Sequence, residues 1–145
     1  MIEKLAVTDG TVKATTGGTK NGFVGTVNAS HELAASTDGI GLALALNWGK
    51  GDDAYAEFET PAGEYLTTVD LEKWVGKEVQ ISPESIDYSG SVNYASISAG
   101  DKFVANASGN VGKVATVTAT GAIYFEVTKK INFGGNGLLA KVCKK

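Results

Sequence analysis

The sequence predicts an all-β fold: an antiparallel sandwich or a partly open barrel of short strands, with one short helix near residues 70–75. Three observations carry this. Runs of five to eight residues rich in Val, Ile, Thr, Tyr and Phe recur between turn signals. Glycine is abundant, 19 of 145 residues, and with Thr, Ser, Asn and Ala it offsets an apolar fraction of 43% and a charged fraction of 20%. Only Asp70–Val75 combines a capping residue with an apolar helical face. The chain length fits one domain over residues 1–145. Such a domain buries roughly 68–70% of its unfolded surface, enough to fold without a disulfide or a metal.

Residues 1–20 read as an extended N-terminal arm or long loop, with one short strand at Leu5–Val7, a turn at Thr8-Asp9-Gly10 and a polar run Thr15-Thr16-Gly17-Gly18-Thr19-Lys20. Lys20-Asn21-Gly22 starts a turn, and Phe23–Val27 is a strand. From Ser30 to Ala35 the reading is open, because Ser30 offers a cap for a helical turn through His31, Glu32 and Leu33. Ile40–Asn47 is a strand in which Leu42, Leu44 and Leu46 alternate with Gly41, Ala43 and Ala45. That large–small alternation suits one face in a core and the other under close backbone approach. A loop follows at Gly49–Asp53, then a strand at Ala54–Thr60 and a turn at Pro61-Ala62-Gly63.

The helix over Asp70–Val75 has Asp70 as N-cap and Gly76 just past its end, with Leu71, Trp74 and Val75 on one face. Beyond it lie strands at Lys77–Ile81, Val92–Ile97, Lys102–Ala105, Val111–Ala119, Ala122–Thr128 and Leu138–Val142, with a break at Pro83. Turns fall at Ser89-Gly90, Ala99-Gly100-Asp101, Ser108-Gly109-Asn110, Thr120-Gly121 and Gly134-Gly135-Asn136-Gly137, and the stretch from Val114 to Thr128 reads as a hairpin. No repeat of solenoid or propeller length stands out.

The composition removes most of the side chains from which active sites are built. There is no arginine, one histidine (His31) and one cysteine (Cys143). A single cysteine makes no internal disulfide and no cysteine-built zinc site, and its place in Leu138–Cys143 reads as a small apolar residue of a last strand. The net charge of −3 comes from 16 acids and 13 lysines, interspersed but for Lys129-Lys130 and Lys144-Lys145. With no basic stripe, nucleic acid is not an expected partner. Met1-Ile2-Glu3-Lys4 opens no secretory signal. The longest apolar stretch, Ile40–Leu46, is seven residues, so no membrane partner is expected either.

Each remaining motif has a bland reading beside the sharp one. Gly17-Gly18-Thr19-Lys20 lacks the phosphate-loop order of glycine, lysine, then Ser or Thr opening a helix. Gly134-Gly135-Asn136-Gly137 has no helix after it and reads as a hairpin loop rather than a dinucleotide fingerprint. Asp52, Asp53, Glu57 and Glu59 form the densest acidic patch, fit for glycoside hydrolysis or a calcium ion, yet Glu57 and Glu59 sit on the outer face of a strand. His31 with Asp38 and a serine lacks a nucleophile elbow; Ser89 and Ser108 precede glycines in ordinary turns. Trp48 and Tyr55 flank one loop and could stack on a sugar, or serve core or intersubunit packing. Asn28-Ala29-Ser30 and Asn106-Ala107-Ser108 match the glycosylation sequon without a secretory signal to support it. No residue is assigned as catalytic, cofactor-binding or metal-ligating, and no cofactor is expected.

The run Ile97-Ser98-Ala99-Gly100-Asp101-Lys102-Phe103-Val104-Ala105-Asn106-Ala107-Ser108-Gly109-Asn110-Val111-Gly112-Lys113-Val114 resembles a pattern of head decoration or auxiliary capsid proteins of tailed bacteriophages. In those proteins, a Gly-Asp turn and a Val/Gly/Lys strand lead into a β-hairpin and a terminal strand. The resemblance spans residues 97–142, about a third of the chain. It implies a non-enzymatic virion structural protein at the capsid surface, assembled in the host cytoplasm. Its partner would be the major capsid protein, which it would cement as a homo-oligomer, a trimer by preference. The alternatives are a tail-tube or baseplate component and a carbohydrate-binding β-sandwich using Trp48 and Tyr55. A glycosidase using the Asp52–Glu59 carboxylates comes last.

Overall fold

The computed structural model describes residues 8–9, 11–15, 17–20, 22–36, 38–45, 59–89, 92–132 and 135–145. Among them 48% are strand and 9% helical, and no helix reaches seven residues. The fold is all-β. The strands are β1 (Thr8–Asp9), β2 (Lys13–Ala14), β3 (Thr19–Lys20), β4 (Val24–Val27), β5 (Glu32–Ala35), β6 (Leu42–Ala45), β7 (Glu59–Thr60), β8 (Thr68–Asp70), β9 (Glu78–Ile81), β10 (Ile86–Asp87), β11 (Lys102–Ala105), β12 (Val111–Val114), β13 (Ile123–Asn132) and β14 (Asn136–Lys144). One six-stranded sheet runs β1-β8-β6-β4-β5-β2 and a second β10-β12-β11-β13-β14-β9, while β3 and β7 form a small ladder of their own. All pairs are antiparallel except β2 with β5 and β10 with β12.

The sheets share one core. Val24 and Leu42 of the first sheet join Phe103, Ile123, Phe125, Val127, Leu138, Ala140 and Val142 of the second, with Leu44 packed at the margin. Ala43 and Ala45 turn the other way, into a smaller cluster with Val12, Ala14, Leu33 and Leu66. The large–small alternation of β6 therefore separates two apolar clusters on opposite faces of one strand. The close approach falls one strand over, at Gly25. A Cβ there would overlap the Ala34 carbonyl oxygen on β5.

Several expectations are corrected. Of the described part of residues 1–20, β1 and β2 are laid into the first sheet and β3 pairs with β7. Val12 and Ala14 are fully buried. Lys13 N–H donates to the His31 carbonyl at 3.0 Å, Ala14 N–H to Glu64 at 2.9 Å, and the Val12 carbonyl accepts from Leu66 at 2.7 Å. Its alternating apolar residues find a core, and its main chain is engaged on both sides. Thr8–Asp9 is a strand paired with β8, not a turn. Ser30 caps no helix: Asn28 accepts from both Ser30 N–H and Glu32 N–H at 3.0 Å, tightening a turn that sends the chain into β5.

The helix is a 3-10 turn over Leu71–Trp74, with Asp70 accepting from Glu72 N–H and Gly76 left-handed at φ 90°. With three residues per turn, Leu71 and Trp74 point inward while Val75 stays 41% exposed. Val92–Ile97 is not a strand, because Asn93 and Ser96 cap each other reciprocally around a 3-10 turn at Tyr94–Ser96. The strand begun at Val111 ends at Val114.

The hairpin expected between Val114 and Thr128 does not form. Asn106 Oδ1 accepts from Ser108 N–H at 3.0 Å and Asn110 N–H at 3.1 Å, and this turn folds β11 back on β12. β13 then pairs with β11 and β14, so β11 separates β12 from β13. The strands expected at Leu5–Val7, at Leu46–Asn47 and at Ala54–Phe58 lie outside the described residues.

Candidate functional site

Only some members of the candidate catalytic groupings lie among the described residues. Asp52, Asp53 and Glu57, with Trp48 and Tyr55, lie outside the described residues. Glu59 is exposed on β7, opposite Lys20, with its side chain over Gly18. Thr19–Lys20 continues as a strand, so no helix follows Gly17-Gly18 to receive a phosphate. His31 holds a left-handed backbone at φ 60° and its Nε2 lies 2.7 Å from Thr11 Oγ1. The Asp38 carboxylate accepts from Ile40 N–H at 2.9 Å, and Ser89 and Ser108 sit in turns closed by Asp87 and Asn106. Among the described residues, no group of three or more His, Cys, Asp or Glu is placed to hold a metal ion, and no helix is long and apolar enough to cross a membrane.

The polar groups of the resembling run build turns. Asp101 accepts from Ser98 N–H at 2.9 Å and pairs with Lys113 Nζ at 2.9 Å; the Lys113 hydrogen bond, then the Ser98 amide, hold its carboxyl below the ordinary range. Asp87, fixed by Ser89 N–H and then by the Asn106 carboxamide at 2.8 Å, is lowered in the same way. The Tyr94 hydroxyl reaches the Gly137 carbonyl at 3.0 Å and that of Ile131 at 3.3 Å, both on the β13–β14 hairpin. Lys130 covers the same ring from 5.1 Å.

The surface best organised for contact is the outward face of the second sheet. In register across four strands stand Lys102 (β11), Glu126 (β13), Lys141 (β14) and Glu78 (β9). Residues directly opposite across a ladder share a face. The next row along, Phe103–Phe125–Val142, is buried, which fixes the charged row as the outward one. Its signs alternate strictly: plus, minus, plus, minus.

Half-buried apolar side chains flank that row: Val104, Val114, Tyr124, Leu139 and Cys143. Lys102 Nζ lies 5.8 Å from the Tyr124 ring centroid, and Tyr124 stands opposite Cys143. Burial pushes both the Tyr124 hydroxyl and the Cys143 thiol up from their ordinary values. This makes Cys143 a poor nucleophile and a fair apolar contact. Sequence reasoning missed the row because its members are 24, 15 and 63 residues apart along the chain and meet only through strand order. No protein-family model, no curated protein and no solved structure matches the chain.

Proposed function

We propose that this chain is a virion structural protein, a capsid decoration or auxiliary protein of a tailed bacteriophage that binds the major capsid protein as a homo-oligomer and cements the shell. The observation that carries the reading is the run 97–114 and what it builds. The residues that resemble decoration proteins form the β11–β12 hairpin, closed by Asn106 and buttressed by the Asp101–Lys113 pair, at the centre of the second sheet. Its polar side chains are committed to holding shape, which suits a module that works by contact. A module that binds only the expanded shell stabilises it by RT ln(1 + [L]/Kd) per site. Strand β9, the edge of the second sheet among the described residues, with Glu78 and Gln80 exposed, offers main-chain groups for strand addition.

The test is co-sedimentation of the purified chain with expanded shells, followed by heating of decorated and bare shells. Saturable binding with a raised disruption temperature supports the reading. No binding to shells, with binding instead to tail tubes or baseplates, would move it to those structures.

A further inference from the structure

We propose that the outward face of the second sheet is a two-fold interface with a second copy of this chain, specified by the row Lys102–Glu126–Lys141–Glu78. The inference stands on register and charge order, independently of the capsid reading. A row of four alternating charges is antisymmetric end to end. Rotation by a half-turn about an axis lying along the strands, between β13 and β14, reverses the row. Each charge then meets its opposite: Glu126 faces the partner's Lys141, and Lys102 faces the partner's Glu78. Such an interface is isologous, every contact occurring twice.

The same operation sets Tyr124 against the partner's Cys143, placing half-buried apolar groups beside the charges. Packed sheets lie about 10 Å apart, a gap that Lys and Glu side chains span from opposite sides. Aligned sheets cross at about 30°, so the two pairs nearest the axis, Glu126 with the partner's Lys141 and the reverse, stay in register and dominate. A repeat of like charges would repel its own copy on this face. An axis moved onto a strand sets like charges together, and one moved to a neighbouring gap pairs only two of the four strands, so the axis between β13 and β14 alone pairs all four.

The experiment uses two single variants of the full chain, Glu126→Lys and Lys141→Glu. The parent chain is expected to sediment as a dimer whose Kd rises with salt. Each variant alone sets like charges against each other twice per dimer and is expected to weaken association at least about tenfold, roughly 1.4 kcal/mol or more. An equimolar mixture of the two is expected to form heterodimers at close to the parent's affinity. The lysine introduced in the first variant meets the glutamate introduced in the second, and the native Lys141 of the first meets the native Glu126 of the second.

The double variant E126K/K141E discriminates further. Within one chain it keeps two like neighbours in the row, as many as either single variant, so a purely intramolecular effect is not rescued. Across the two-fold it restores every opposite pair and recovers the dimer. Circular dichroism confirms that each variant is folded. A parent chain that stays monomeric at millimolar concentration overturns the proposal. So does a trimer, or a dimer that neither single variant weakens, or a mixture that fails to associate.

Discussion

The ring of Phe23 lies against Gly109, so close that a Cβ at Gly109 would fall among the ring atoms. The next amide, Val24 N–H, donates to the Gly109 carbonyl at 2.9 Å. Phe23 leads into β4 of the first sheet and Gly109 closes the β11–β12 turn of the second, so this contact clasps the two layers at one corner.

Gly109→Ala is therefore expected to destabilise through two separable effects. The residue is left-handed at φ 78°, a strain of about 1–3 kcal/mol for a side chain, and the methyl displaces the ring. Urea denaturation of a double-mutant cycle with Phe23→Ala separates them. In the Phe23→Ala background the alanine should cost only the backbone strain. An undiminished cost there would show that the ring contact is energetically idle.

Phe103 is fully buried in the shared core, and Leu42 of the first sheet belongs to the same cluster. Phe103→Ala is expected to cost about 3–5 kcal/mol and Leu42→Ala about 2–5 kcal/mol. Ile40, two residues from Leu42 but 46% exposed, should tolerate serine within about 0.5 kcal/mol. Thermal or urea unfolding of the three variants checks the ranking.

Tyr94→Phe removes a hydroxyl that bridges the Ile131 and Gly137 carbonyls and leaves the ring under Lys130. The expected loss is about 0.5–1.5 kcal/mol. Amide hydrogen exchange should accelerate at residues 131–137 while the amides of β11 and β12 keep their protection.

Asp101 and Asp87 both have carboxyls depressed by hydrogen bonds, from Lys113 and the Ser98 amide in one case and from the Ser89 amide in the other. A depressed folded value stabilises the fold above the ordinary carboxylate value of about 4 and is lost as pH falls through the folded value. The stability deficit of Asp101→Asn relative to the parent should accordingly be largest near neutral pH and shrink toward about pH 2. A deficit independent of pH would mean that the Lys113 pairing contributes nothing through charge.

What was legible in the sequence was local. The alternation in Leu42–Ala45 needs only a period of two, the turn at Pro61-Ala62-Gly63 only its residues, and the cap at Asp70 only its side chain. Three kinds of information were not local. Asn106 binds two amides ahead of it, and that tight turn outcompetes the Thr120-Gly121 signal for choice of hairpin. Asn93 and Ser96 cap each other, so β-prone residues there form a 3-10 turn. Val12 and Ala14 look like any polar-loop neighbours until Leu33 and Leu66 are brought against them. The charged row is the extreme case: each member is an ordinary surface residue in sequence, and the alternation exists only in the register of four strands.

The placement of β14 between β13 and β9 reaches into how the protein is made. Among the described residues, 78–81 have their only ladder partner at 138–141, so during translation β9 leaves the ribosome with no neighbour to zip against. A nascent chain paused before residue 136 would carry β9 without its ladder partner and the β14-facing flank of β13 bare. Such an intermediate presents two unpaired strand edges, the kind of surface that pairs with other chains.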